Sequence, residues 1–118
     1  MLEASPPARV VLTTTATVEE ARRLGRILVE ERLAACATLS PGAESIYRWQ
    51  GEVECSVETL LLLKTGPEQL PALQARLMEL HSYQTPEFLV LWVESGSQPY
   101  LDWLQASLRR VESPPRAG

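Results

Sequence analysis

Ser45-Ile46-Tyr47-Arg48-Trp49-Gln50-Gly51-Glu52-Val53-Glu54-Cys55-Ser56-Val57-Glu58-Thr59-Leu60-Leu61-Leu62-Leu63-Lys64-Thr65 is the run that decides the architecture. Side chains alternate across a strand, so Ser45, Tyr47 and Trp49 share one face, with Ile46 and Arg48 on the other. Beyond Gly51, Val53, Cys55, Val57, Thr59, Leu61 and Leu63 form one face at period two. Glu52, Glu54, Ser56 and Glu58 form the opposite one. The pattern predicts a long β-hairpin with its tip at Trp49-Gln50-Gly51-Glu52, where glycine supplies the positive φ of a tight turn. A hairpin of this length overreaches a 118-residue domain. It needs a surface to lie on, and a second copy of the chain is the expected one.

Working outward toward the N-terminus, Val10 to Thr14 is β-branched and apolar, the composition of a buried strand. Thr17 followed by Glu20 reads as a capping box that opens a helix with Ala21, Leu24, Gly25 and Leu28 on one stripe. Leu33 to Leu39 is apolar enough to be expected at the centre of the sheet, and Pro41-Gly42 marks a bulge before the hairpin. On the C-terminal side Gly66-Pro67 ends the second hairpin strand. Leu70, Leu73, Leu77 and Leu80 then follow at helical spacing, with Pro71 confined to the first turn. His81 to Glu87 reads as a loop, Phe88 to Val93 as a buried strand, and Tyr100, Leu101, Trp103, Leu104 and Leu108 as the apolar face of a last helix. The order β-α-β-β-α-β-α is the split βαβ, ferredoxin-like α+β pattern with an extra C-terminal helix. Helices on one sheet face leave the other to be covered, which predicts a small closed ring of copies. The expected organisation is a flexible N-terminus at 1–7, one domain over 8–111 and a flexible tail at 112–118.

Net charge is −4 with 45% hydrophobic residues, a globular composition without the basic stripe of a nucleic-acid binder. No apolar run reaches the length of a membrane span, and residues 1–7 lack the basic start and apolar core of a signal peptide. The expected location is therefore the cytoplasm. Cys36 and Cys55 lie far apart along the predicted ladder, beyond bridging distance, and are expected to be reduced packing residues.

Several short motifs, taken in order, resemble the CutA divalent-cation tolerance proteins. They are Leu33-Ala34-Ala35-Cys36, Ser45-x-Tyr47-x-Trp49-x-Gly51, Lys64-Thr65, His81-x-Tyr83-x-x-Pro86-Glu87 and Tyr100-Leu101-x-Trp103-Leu104. The resemblance implies a ferredoxin-like subunit in a homotrimer, a cytoplasmic bacterial setting, architectural similarity to PII signalling proteins and a role in tolerance to divalent cations, copper in particular. It also implies a copper site built from a first-strand cysteine and a His-His pair. Here Thr13 stands at the first position and Leu80-His81 at the pair, with Ser82 in place of a proline. A hydroxyl and an aliphatic chain do not replace a thiolate and an imidazole, so copper binding is expected to be weak, with His81 its main contributor.

Tyr47, Trp49, Lys64, His81, Tyr83 and Glu87 are the candidate site residues, expected to line a small-molecule cleft between subunits. The plainer reading of the aromatic members is subunit packing, of His81 a helix-end residue, and of Lys64 with Glu87 a buried structural pair. The chain lacks a nucleophile elbow, a zinc-protease helix and a glycine-rich nucleotide loop. Three functions are therefore weighed. The first is a non-enzymatic homotrimer of the CutA type. The second is a PII-like sensor of a small anionic metabolite. The third is an enzyme using His81 and Glu87 as acid and base. Any cofactor is expected to be a weakly held divalent cation; nucleic acid and membrane are not expected partners.

Overall fold

A computed structural model describes residues 7–110. The expected loose ends at 1–7 and 112–118 fall, apart from Pro7, outside the described residues. The elements are β1 (Arg9–Thr15), α1 (Val18–Glu30), β2 (Cys36–Trp49), β3 (Glu52–Thr65), α2 (Leu70–Leu80), β4 (Leu89–Trp92) and α3 (Gln98–Ala106). They form a four-stranded antiparallel sheet in the order β2-β3-β1-β4, the ferredoxin-like arrangement.

Local chemistry explains the boundaries. Thr17 Oγ1 accepts the Glu20 backbone N–H at 3.1 Å and starts α1. Pro71 sits in the first turn of α2, where its missing N–H costs nothing. The hairpin turns through Gln50 and Gly51, both at positive φ, as a two-residue loop between twisted strands requires. Between Ser40 and Ala43 the register of β2 shifts against β3, with Gly42 at φ 76°. This bulge carries the extra residues predicted at Pro41-Gly42.

Val11, Leu24, Leu28, Leu61, Leu63, Leu73 and Leu77 are fully buried between the sheet and the two long helices. α1 comes so close to β2 that a Cβ on Gly25 would lie 2.9 Å from the Ala37 Cβ. Arg76 on α2 grips the Glu31 carboxylate with Nε and Nη2 at 2.9–3.2 Å and ties the C-terminal end of α1 to α2. A second small cluster, Ala8, Ala35, Leu101, Leu104 and Leu108, seats α3 at one end of the sheet.

Two expectations about the sheet are corrected. The Leu33–Leu39 segment is not central: β2 is an edge strand. Leu33, Ala34 and Ala35 are buried because they precede β2 and pack under the helices. β4 is not buried either; Leu89 to Trp92 are all exposed on the other edge, Trp92 most of all at 79%. Arg9 stacks over the Trp92 ring at 3.7 Å and gives it its one close cation contact among the described residues.

The sheet is two-faced. Val11, Thr13, Thr15, Thr59, Leu61 and Leu63 point to the helices and are buried. On the opposite face Leu12, Leu60 and Leu62 are partly exposed and Leu89 and Leu91 about half exposed, with no helix over them. Beyond Thr15 the β2–β3 hairpin runs on alone for seven residue pairs, about 23 Å. This arm explains a radius of gyration of 16.2 Å, where a compact chain of this length has about 13 Å. No helix among the described residues is long and apolar enough to cross a membrane.

Candidate functional site

The 81–87 loop leaves α2 at the end of the sheet from which the arm projects. His81 caps α2 with its backbone N–H on Leu77 O, 2.9 Å. Its ring is buried and both nitrogens are engaged. Nδ1 accepts the Tyr83 backbone N–H at 3.0 Å, so the ring proton sits on Nε2 and is donated to Thr14 O at 2.7 Å. Ser82 donates its backbone N–H and its hydroxyl to the Glu20 carboxylate at 2.8 and 2.9 Å. Burial opposes ionisation of Glu20, but the two Ser82 bonds outweigh it and hold the carboxyl below its usual range.

Tyr83 then reaches over the end of the sheet to the hairpin. Its hydroxyl donates to Glu58 Oε2 at 2.7 Å. Burial and the adjacent carboxylate both push the phenol well above its ordinary pKa. Burial works against the Glu58 charge, while the Tyr83 bond and the nearby Ser45 and Thr14 hydroxyls more than offset it and hold the carboxyl below its usual range. The loop and the helix-free face of the arm thereby enclose a cleft of about 700 Å³. Tyr47, Trp49, Glu54 and Glu58 line the hairpin wall, and Tyr83 and Glu87 line the loop wall.

The six candidate residues therefore divide. Tyr47, Trp49, Tyr83 and Glu87 meet in the cleft. His81 stands behind it, held by Thr14 and Tyr83. Within one chain Lys64 lies apart from them: it pairs across the ladder with Val10 and Cys36, six residues along β3 from Glu58, about 20 Å away. Its ammonium lies 3.9 Å from Cys36 Sγ and 5.9 Å from the centre of the Tyr100 ring. Lys64 and Glu87 of one chain thus do not pair. The acid/base pairing of His81 with Glu87 is not formed either, since the carboxylate beside His81 is that of Glu20, 3.8 Å from Nδ1. As a metal ligand His81 starts with neither nitrogen free.

Thr13 is fully buried toward the helices, and its hydroxyl finds no hydrogen-bond partner among the described residues. No group of three or more His, Cys, Asp or Glu side chains converges among those residues. Cys36 and Cys55 are both free thiols. Cys55 is exposed on the arm, not packed as expected, and donates to Glu44 at 3.1 Å, a contact that raises its pKa. Sequence reading missed Glu20, Glu54, Glu58 and Thr14. The register across Gly51 held the signal for two of them, because it places Glu54 and Glu58 on the face of Tyr47 and Trp49.

The CutA1 divalent ion tolerance protein family matches residues 9–107. The chain belongs to that family. The divalent-cation tolerance protein CutA of Thermus thermophilus is 50% identical over 96 residues, covering 81% of this chain and 93% of that one. CutA1 from Oryza sativa superposes with a TM-score of 0.87 at 37% identity, covering 91% of this chain and 98% of its own. A CutA from Archaeoglobus fulgidus described as periplasmic superposes at 0.83 with 29% identity, over 86% of this chain and 99% of that one. The match spans the whole described sheet and all three α-helices.

Proposed function

We propose that the protein serves divalent-cation tolerance as a cytoplasmic, non-enzymatic homotrimer, with the Tyr83–Glu58 cleft as its ligand site between subunits. The observation that carries this reading is the helix-free sheet face. Leu12, Leu60, Leu62, Leu89 and Leu91 form an apolar surface continuous with the projecting arm, and a subunit-sized cover suits it. Exposed Ile46 and Val57 on the arm's other face, at 69% and 68%, add to the area a neighbour would bury.

Copper binding in this reading is weak. Thr13 offers a buried hydroxyl, Leu80 offers nothing, and His81 must release Thr14 or Tyr83 before it can ligate. The non-enzymatic reading draws support from the engagement of both His81 nitrogens and from its separation from Glu87. The anionic-metabolite alternative is not favoured, because no basic side chain lines the cleft among the described residues. Calorimetric titration with divalent copper tests the proposal. Weak binding, most of it lost in His81→Ala, is the expected result. Tight stoichiometric binding that survives the substitution would overturn it.

A further inference from the structure

We propose that Cys36 and Lys64 are the two halves of a redox switch: an oxidant joins them through one oxygen, Sγ–O–Nζ, and a thiol reductant parts them again. The two residues are register partners on β2 and β3, so their side chains leave the ladder on the same face. The lysine ammonium donates toward the sulfur at 3.9 Å. Backbone groups fix the pair from both sides. Ala35 N–H donates to Lys64 O at 2.8 Å, and Thr65 Oγ1 donates to Leu33 O at 2.7 Å. The flexible four-carbon lysine stem closes the remaining gap by rotating about its own bonds, with no movement of the strands.

Reactive cysteines sit in partly exposed, electropositive surroundings. Cys36 is partly buried beside Lys64 and lines a cavity of about 440 Å³ whose walls include Arg22 and Arg26 of α1 and Trp103 of α3. The cavity runs along the open edge of β2 and admits a molecule the size of peroxide to the sulfur. Cys55, the other free thiol, faces the Glu44 carboxylate at 3.1 Å instead.

The oxidant is a peroxide, and two equivalents balance the reaction. The first oxidises the Cys36 thiol to a sulfenic acid and leaves as water. Lys64 gives its ammonium proton to solvent. The second peroxide then takes one hydrogen from the sulfenic O–H and one from the amine. Its O–O bond breaks, two waters leave, and the O–N bond forms. Sulfur and nitrogen have each lost two electrons. Two equivalents of a dithiol reverse the change, returning thiol, amine and one water as the dithiols become disulfides. The link ties the start of the edge strand β2 to β3. It also removes a positive charge whose centre lies 5.9 Å from that of the Tyr100 ring, on the helix seated at this end of the sheet.

Peptide mass mapping of the full chain after hydrogen peroxide treatment tests the proposal, in a Cys55→Ser background that removes the second thiol. Trypsin should release residues 33–48 joined to residues 49–76, uncut at Lys64. The joined pair should be heavier by about 14 Da, one oxygen gained and two hydrogens lost, and should separate in dithiothreitol. Lys64→Arg keeps the charge and should give no joined peptide, while Cys36 still takes up oxygen. Cys36→Ser should give none either. Oxygen on Cys36 with Lys64 free and cleaved would overturn the proposal. A Cys36 disulfide between two chains, seen as a doubled mass without reductant, would give the thiol another partner and overturn it too. So would a Cys36 that peroxide leaves unaltered, or a joined pair that persists in Lys64→Arg.

Discussion

Tyr83 and Glu58 are joined by a 2.7 Å hydrogen bond that spans from the loop after α2 to the far side of the sheet. It ties the 81–87 loop to the base of the projecting arm. Without it the side-chain hydrogen bonds left to the 81–87 loop among the described residues are those of His81 and Ser82, and the cleft loses one wall.

Tyr83→Phe should lower stability by about 1.5–3 kcal/mol, the usual loss for a hydrogen bond to a charged group. Glu58→Gln should cost less, since an amide still accepts from the phenol. A double-mutant cycle by urea unfolding at fixed protein concentration should show positive coupling between the two positions. Additive losses would mean that the bond carries no stability of its own.

Gly25→Ala tests the close seat of α1 on β2. The new methyl would approach the Ala37 Cβ at 2.9 Å, and Ala37 cannot rotate away. Overpacking costs about 1–3 kcal/mol and outweighs the gain of up to about 1 kcal/mol from better helix propensity. A lower melting temperature is expected. A rise would show that the helix shifts freely over the strand.

Periodicity made most of the fold legible. The hairpin, its tip and its bulge followed from alternation and from two glycines, and the α1 cap from Thr17 and Glu20. Strand position did not follow. Leu33–Leu39 and Leu89–Trp92 are apolar enough for central strands, yet both elements lie at sheet edges. Apolar content records that a strand is covered and does not say by what. The site was legible in its aromatic residues, which carry motifs, and illegible in Glu58 and Glu20, which look like ordinary surface acids until the loop folds against them. The intrachain separation of Lys64 from Glu58 was also hidden, because residues near element ends were grouped without asking which end of the sheet each one occupies.

Acid should loosen the cleft. Glu20 and Glu58 are both held below the ordinary carboxylate value of 4.5 in the folded chain. Near and below that value the unfolded chain binds more protons than the folded one. Their contribution is therefore fully present above about pH 4.5 to 5 and is lost as pH falls through the lowered folded values. Melting temperatures between pH 6 and pH 3 should fall more steeply for the unaltered chain than for Glu58→Gln. Equal slopes would remove Glu58 from the account.

Assembly is the central claim, and static light scattering at micromolar concentration tests it most directly. The account predicts a mass three times the 13.1 kDa of one chain. Leu62→Glu, placed in the middle of the helix-free sheet face, should shift that mass toward one chain by burying an unpaired charge at the proposed contact. A one-chain mass for the unaltered protein, or a trimer indifferent to Leu62→Glu, would contradict the claim that this face is where subunits meet.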